Sequence, residues 1–476
     1  MNDRAVPRDH RAGLFDVHVV PRDPEALEIE GVIPAELRGT LYRAGPGNVQ
    51  KHGDPYHHWF DGDGLIQAIR LGPEGATHRL RFVEHSARIE EARAHRRLYG
   101  GFGTPPPGGR LRRFFRRRRR RNPANTHVIG HRGGLYALCE AGRPYRLDPE
   151  TLTTIGEEDL GGVLPDERTT FAAHPRRDPT TGELWGFGVA PGRQTLLHLY
   201  RWPAEGRPER FTSVPLPLIP MIHDFAITAS SIVVIVAPVC LPQPPLALIF
   251  GQRAYGECLR YRPELGGRIL VIDRKTGATR WFECDPFVYF HVANAHDEGD
   301  DAIVVDVLAY DDDAVLDAFF AVYQGPFPRP VGNAVDRLRV DRRSGAVTRT
   351  RICAGFFELP RVADAVTGRT HRTIYALGGD DPRLLPRSPT KIDVTTGAIQ
   401  QAPLAAHEWA GELVPVARPG ARDDDDAWLL SVILDARARS SELRIYDAAD
   451  LHAPPVARIR TQRPIPFGFH GSWIPG

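Results

Sequence analysis

One pattern in the sequence restricts the fold more than any other: an apolar stretch ends in Asp, a turn follows, and another stretch begins. The aspartates are Asp148, Asp273, Asp341, Asp393 and Asp447. An Asp side chain can hydrogen-bond the backbone two residues further on, and the Gly present in most of these turns can adopt a positive φ. The spacing of about 50–70 residues, with one gap of twice that length, is typical of four-stranded propeller blades. We therefore predict an all-β, seven-bladed β-propeller with a few short helices and long loops that form a cap over the top face.

Composition agrees with many short strands. The chain of 476 residues contains 46 Gly and 43 Pro, which favour tight turns over long helices. The clearest helix is predicted at 312–323, where acidic residues stand in the first turn. No linker divides the sequence, so we expect one domain over residues 1–476, with an N-terminal extension at 1–30. Two stacked β-sandwich domains remain the alternative.

Charge, cysteine content and hydropathy exclude several classes of protein. The formal net charge of +2 gives no field that would mark a nucleic-acid-binding protein. Five scattered cysteines without a Cys-x-x-Cys pair argue against a disulfide framework and favour a reducing compartment. The N-terminus is charged and lacks an apolar segment, so we predict a cytoplasmic protein without a secretory signal. The most apolar stretch, 230–250, contains four prolines, and this favours a buried strand at 232–236 over a membrane-spanning helix.

Two segments are candidates for surface interactions. The first is an Arg-rich surface loop at 105–121, in which Phe114 and Phe115 are surrounded by nine arginines between 110 and 121. Unpaired charge is costly to bury, so we expect this run to stay outside, either simply solvated or attracted to RNA or anionic lipid. The second candidate is the apolar run that ends in Leu246, Leu248, Ile249 and Phe250, which is either packed on the core or exposed. Together the two segments predict peripheral contact with a membrane.

Four of the 19 histidines stand in or beside apolar, strand-like stretches. They are His174, His223, His291 and His470. A buried imidazole needs a polar partner, and a metal ion can use several imidazoles at once. Inner propeller strands converge on one axis, so these residues could meet there, although their spacing alone leaves this open.

Two other carboxylate-containing patterns suggest metals. His296 and Glu298 have the spacing of a facial-triad iron site, but no third ligand is evident. Asp61 and Asp63 hint at calcium without the remaining EF-hand ligands. Both patterns are therefore weaker candidates than the four histidines.

Several segments, in this order, resemble the carotenoid cleavage oxygenases, a family of iron(II) dioxygenases built on a seven-bladed propeller. They are 31–47, His58-Trp-Phe-Asp-Gly-Asp-Gly, 122–126, the segments around the first three of the four histidines, Phe357-Glu-Leu-Pro-Arg, Gly411-Glu and Phe469-His-Gly. The resemblance implies that the four histidines bind one Fe²⁺ per chain. It further implies that Glu140, Glu358 and Glu412 accept hydrogen bonds from three of them, and that the methyl group of Thr126 crowds an open site on the iron.

The resemblance also implies a reaction. A conjugated C=C bond of a carotenoid or apocarotenoid would be cleaved with molecular oxygen to two carbonyl products. Segments 101–109 and 138–149 are most similar to bacterial members that act on apocarotenoids, so cleavage at the 15,15′ bond to give retinal is the first expectation.

Three residues are candidates for lining the substrate tunnel: Phe60, Tyr99 and Cys139. Related stilbene cleavers have Lys at the position of Cys139, which argues against a hydroxystilbene substrate, although Tyr99 could still engage a phenol. Stilbene cleavage remains the alternative reaction, and a non-enzymatic propeller that binds partners remains the alternative of another class. The oligomeric state is left open.

Overall fold

The computed structural model describes residues 22–49, 53–116, 121–140, 142–166, 169–322, 326–461 and 463–476. In these ranges antiparallel strands form seven sheets and one separate two-stranded ribbon. The sheets are the blades of a seven-bladed propeller, which confirms the predicted fold and excludes the two-sandwich alternative. We number the blades along the chain.

Blades 2 to 6 are each built from one continuous part of the chain. Blade 2 contains β6 (His127–His131), β7 (Gly134–Leu138), β8 (Tyr145–Leu147) and β9 (Thr154–Glu157). Blade 3 contains β10 (Arg176–Arg177), β11 (Leu184–Ala190), β12 (Thr195–Trp202) and β13 (Glu209–Leu216). Blade 4 contains β14 (Ala226–Ile227), β15 (Ser231–Val236), β18 (Gly267–Asp273) and β19 (Thr279–Cys284), with the ribbon β16 (Val239–Cys240) and β17 (Arg260–Tyr261) inserted. Blade 5 contains β20 (Val288–Glu298), β21 (Ala302–Tyr310), β22 (Asn333–Asp341) and β23 (Val347–Gly355). Blade 6 contains β24 (Phe357–Arg361), β25 (Thr373–Gly378), β26 (Ser388–Asp393) and β27 (Ile399–Gln401).

Blades 1 and 7 combine strands from both ends of the chain and thereby close the ring. Blade 1 contains β1 (Arg22–Ala26), β3 (Gly39–Gly47), β4 (Asp63–Gly72), β5 (Gly75–Phe82) and the last strand, β33 (Gly471–Pro475). Blade 7 contains β2 (Glu28–Gly31), β28 (Glu408–Ala410), β29 (Val414–Ala417), β30 (Ala427–Asp435), β31 (Ser440–Asp447) and β32 (Ala457–Thr461). Residues 22–30 of the predicted extension therefore belong to the propeller, and residues 1–21 lie outside the described part.

The repeated aspartates occupy one structural position, the turn between the third and fourth strands of a blade. In blade 4, Asp273 Oδ1 accepts hydrogen bonds from the amides of Lys275 and Thr276 at 2.9 and 2.7 Å. Gly277 follows with a φ of 73°, the left-handed conformation that favours Gly. The double-length gap in the repeat spans blade 3, whose β12–β13 connection is built without Asp.

Five α-helices occur among the described residues, all in connections between strands. They are α1 (Ser86–Ala94), α2 (Arg110–Arg116), α3 (Leu246–Ile249), α4 (Tyr255–Cys258) and α5 (Ala314–Ala321), and short 3₁₀ turns cover Trp59–Asp61, Pro263–Leu265 and Asp364–Val366. Residues of α3, α4 and α5 share one hydrophobic cluster with Phe290 and Tyr310 of blade 5. This cluster forms the cap. The predicted helix at 312–323 corresponds to α5, with residue 323 outside the described part.

In the described part of the chain, no helix has both the length and the apolar character needed to cross a bilayer. The apolar stretch at 230–250 instead begins with β15, which is buried along its whole length. The predicted strand at 232–236 is therefore correct.

The Arg-rich segment differs from its prediction in two ways. Residues 110–116 form helix α2, and Arg121 at the end of the run is buried. The Arg121 guanidinium lies 2.5 Å from Asp63 Oδ1 and donates to the carbonyl oxygen of Asp61. The expectation that the whole run stays outside was wrong for Arg121, because a buried charge is tolerated when it is paired. The Asp63 carboxylate thus pairs with Arg121, and the Asp61 carboxylate accepts from the amides of Phe102 and Gly103, which gives both residues a structural role.

Candidate metal centre

Four imidazoles meet at the propeller axis. His174 and His223 shortly precede the inner strands β10 and β14, His291 lies within β20, and His470 immediately precedes β33. Five of the six ring pairs have centroids 4.6–5.2 Å apart. The Nε2 atoms of His174 and His223 are 3.1 Å apart. Because the inner strands of four different blades face the axis, residues up to 296 positions apart in sequence share one small volume.

Three of these rings are held by carboxylates through Nδ1. His291 Nδ1 lies 2.6 Å from Glu358 Oε2, His470 Nδ1 lies 2.7 Å from Glu412 Oε1, and His223 Nδ1 contacts Glu140 Oε1. A carboxylate accepts, so each Nδ1 carries the proton and each Nε2 presents its lone pair to the centre. The three predicted carboxylate partners are therefore all beside imidazoles.

The electrostatics of the cluster favour uncharged imidazoles at two of the four positions. Burial, together with the neighbouring histidines, holds the pKa of His174 well below its ordinary value. Burial also lowers the pKa of His470, although Glu412 opposes this. At His223 burial acts in the same direction, but the charge of Glu140 prevails and raises the pKa.

The cluster has the properties of a site for a cation. The His291 Nε2 atom is buried and has no hydrogen-bond partner among the described residues. Lone pairs as close as those of His174 and His223 repel unless a proton or a metal ion lies between them. Neutral imidazoles suit divalent iron, zinc and copper, so the four side chains could hold a metal.

An aromatic cluster covers one side of the imidazoles. Phe290 packs on His223 with ring centroids 5.7 Å apart, and on Phe319 at 4.8 Å. Phe60 contacts both Phe319 and Phe469, at 5.4 and 5.3 Å. Phe60, a predicted tunnel residue, therefore belongs to an apolar wall that reaches the metal-binding side chains.

A cavity of about 150 Å³ lies along the inner strands beside the imidazoles. His174, His291 and His470 line it, together with polar residues such as Arg176 and Arg361. The imidazoles therefore contact both the aromatic cluster and a cavity with polar residues in its lining.

The remaining predicted residues lie at different distances from the centre. The carbonyl oxygen of Thr126 accepts from the His470 amide at 3.1 Å, so Thr126 is adjacent to a metal-binding candidate. Cys139 is half-buried and directly precedes Glu140. Tyr99 is buried in another network, where its amide donates to Glu91 Oε1. The tunnel roles of Phe60, Tyr99 and Cys139 stay predictions.

Among the described residues, no third metal-binding side chain joins His296 and Glu298. Glu298 pairs with Arg339 at 2.6 Å, and both side chains are about half exposed. The Glu298 carboxylate is therefore engaged with Arg339 at the surface.

Three further residues support the centre and were missed from the sequence. Tyr310 donates its hydroxyl proton to Glu358 Oε1. Arg361 lies 3.6 Å from Glu412 Oε1, and His127 Nδ1 lies 2.9 Å from the carbonyl oxygen of Ala173. Arg361 could have been found from the Phe357–Arg361 motif, whereas Tyr310 and His127 carry no sequence signal of their role.

The fold and the site define a class: a seven-bladed propeller whose axial histidines could hold a metal. The family model described as retinal pigment epithelial membrane protein matches residues 15–475. The apocarotenoid-15,15′-oxygenase of Synechocystis is 33% identical, over 94% of this chain and 92% of that protein. The chain belongs to the carotenoid cleavage oxygenase family and is an oxygenase.

Two further relatives show the range of the similarity. Resveratrol cleavage oxygenase 1 of Aspergillus fumigatus is 29% identical, over 98% of this chain and 96% of that protein. The crystal structure of cobalt-substituted Synechocystis ACO superposes with a TM-score of 0.91 at 32% identity, covering 99% of both chains. Sequence and fold therefore agree over nearly the whole chain.

Proposed function

We propose that this protein is an iron(II) dioxygenase that binds one Fe²⁺ per chain through His174, His223, His291 and His470. The observation that carries the proposal is the convergence of these four imidazoles, three of them oriented by carboxylates. Iron(II), when bound, supplies the electrons needed to activate dioxygen. Imidazole nitrogens suit this ion, and the Glu side chains fix each ring in the tautomer that can bind it.

The reaction proposed is cleavage of one conjugated C=C bond of an apocarotenoid, with dioxygen supplying the oxygen atoms of two carbonyl products. The aromatic cluster around Phe60 and Phe290 suits a polyene, because it offers apolar contact and excludes water from the reacting bond. Thr126 is adjacent to His470, in keeping with a role in limiting access to one side of the metal. The chain needs no acid–base residue for this scheme.

The 15,15′ bond is the proposed position of cleavage, with retinal as a product. The similarity to the Synechocystis apocarotenoid-15,15′-oxygenase supports this choice. The similarity to a resveratrol cleavage oxygenase supports stilbene cleavage as the second candidate. Cys139, in place of the Lys of related stilbene cleavers, favours the polyene.

We expect anaerobically purified protein to contain about one iron per chain and to convert apocarotenals to shorter aldehydes. Incubation under ¹⁸O₂, with products identified by mass spectrometry, should place label in both fragments of the cleaved bond. A resveratrol-like stilbene serves as the parallel substrate. Turnover of the stilbene alone would make stilbene cleavage the supported function in place of apocarotenoid cleavage. Turnover of neither substrate would contradict the proposal.

We also propose that the enzyme meets its apolar substrate at a membrane. The two predicted apolar segments form one docking surface, because the rings of Phe114 and Phe250 stack with centroids 5.9 Å apart. Phe114 is half-buried, and the exposed members beside Phe250 are Leu111, Phe115, Leu246 and Ile249. Leu248 instead packs against the hydrophobic cluster of the cap.

The charge around this docking surface favours an anionic bilayer. Eight arginines precede the buried Arg121 in the run that begins at residue 110, and each basic residue near an anionic surface contributes about 1 kcal/mol of attraction. Contact would place the cap, which packs on Phe290, toward the lipid. The cytoplasmic location stays a prediction.

We expect the double variant Phe114→Ser/Phe115→Ser to bind phosphatidylserine-containing vesicles at least about tenfold more weakly, because burying one Phe contributes about 1.5–3 kcal/mol. Flotation with and without phosphatidylserine, at low and high salt, measures this. Ile155→Ser/Ile399→Ser is the control, since both residues are exposed on blade strands outside the docking surface. Equal flotation of both variants would contradict the proposal.

A further inference from the structure

Glu358 has a hydrogen-bond donor at each of its carboxylate oxygens. Its Oε2 atom accepts from His291 Nδ1 at 2.6 Å and from the Leu359 amide at 3.2 Å. Its Oε1 atom accepts from the hydroxyl of Tyr310, the last residue of β21. Tyr310 is 1% exposed, so water does not replace this contact. The result is a continuous chain of hydrogen bonds from Tyr310 through Glu358 to a metal-binding candidate.

The three carboxylates that hold imidazoles differ in what lies behind them. Glu412 is held by the Gly471 amide at 2.8 Å and faces the Arg361 guanidinium. The Glu140 side chain is 38% exposed, so water can solvate it. The oxygen of Glu358 that faces away from its histidine accepts from the phenol of Tyr310. The uncharged Tyr310 hydroxyl donates to Glu358 Oε1, so the carboxylate keeps its full negative charge toward His291.

The surroundings of Tyr310 fix the hydroxyl in one place. Its ring contacts Phe290 and Phe356, with centroids 6.3 and 6.5 Å apart. Asn333 in turn holds the strand that carries Glu358, exchanging hydrogen bonds of 2.7 and 2.8 Å with the backbone of Phe357. Burial raises the pKa of Tyr310 well above its ordinary value, so the phenol keeps the proton that it donates.

We propose that Tyr310 is a positioning residue: it holds the Glu358 carboxylate against His291 and thereby sets the metal affinity of the four-histidine site. The inference rests on the proposed function, since it assumes that the histidines bind metal. Without the hydroxyl, Glu358 Oε1 would be a buried acceptor with no donor, and such a group turns toward any donor within reach. The His291 ring, which is oriented by the same carboxylate, would lose its fixed direction.

Cobalt(II) titration of the metal-free full-length protein tests the proposal, because the visible absorption of Co²⁺ reports its coordination. We expect Tyr310→Phe to bind Co²⁺ about tenfold more weakly with an altered spectrum, the lower end of the range for residues that support metal ligands. Tyr375→Phe is the matched control. Tyr375 is fully buried in blade 6 and donates to the carbonyl oxygen of Asp424. Equal Co²⁺ affinity and spectra for the two variants would overturn the proposal.

A double-mutant cycle with Glu358→Gln tests whether Tyr310 acts through Glu358. If it does, Tyr310→Phe has little further effect on Co²⁺ affinity in the Glu358→Gln background. Full additivity would overturn the positioning role. Failure of the proposed function gives a different result, because the wild-type protein and His291→Ala would then show the same Co²⁺ affinity and spectrum.

Discussion

Replacing His291 by alanine is expected to lower the iron content from about one per chain to near zero and to reduce activity by a hundredfold or more. The side chain is buried at the centre of the cluster, with its Nε2 atom free to bind. Loss of a residue that supports a ligand costs about 10–100-fold in affinity, and loss of the ligand itself should cost at least as much. Metal analysis and product formation by the same anaerobic preparation measure both effects.

The control for this variant is His198→Ala. His198 lies on β12 and contacts Ser213 Oγ at 2.8 Å, so its removal tests the general effect of losing an imidazole. We expect this variant to retain iron and activity. A His291→Ala protein that keeps both would contradict the proposed metal site, because iron binding and activity would then not depend on this imidazole.

The fold could be predicted from the sequence because its turns are local. Asp273 and the amides that it binds lie within three residues, so the hydrogen bonds that end the third strand in the blades with this turn are encoded side by side. The closure of the ring is not local: β3 pairs with β33 and β2 pairs with β32, across more than 400 residues. No pattern within either strand specifies such a partner.

The candidate site divides in the same way. The histidines and their carboxylates could be proposed because each stands in a recognisable segment, and the structure brings them together. Tyr310 could not, because it is 48 residues from Glu358 and an ordinary strand residue in sequence. Arg121 was misjudged because charge was read as exposed, whereas Asp61 and Asp63 provide the partners that permit burial.

The carboxylates themselves should differ in how much the fold depends on them. Glu412 is fully buried. Its carboxylate lies 3.6 Å from the Arg361 guanidinium, and its charge also acts on the buried Arg43 and on His470. Burial would raise the pKa of Glu412, but Arg361 and His470 lower it to about 2, so the group is charged at neutral pH. Glu140 is partly exposed and has His223 as its ionic partner.

We therefore expect Glu412→Gln to lower the free energy of unfolding of the metal-free protein by about 3–5 kcal/mol, because it removes the carboxylate charge near the buried Arg43 and leaves Arg361 beside the exposed Asp364. Glu140→Gln should cost less, about 1 kcal/mol, because the Glu140 side chain is 38% exposed and water partly screens its charge. Urea denaturation of both metal-free variants measures the difference, and metal titration should show weaker binding in both. Equal losses of stability would mean that Glu412 serves the histidine alone and that Arg361 and Arg43 are stabilised by their contacts with backbone carbonyls.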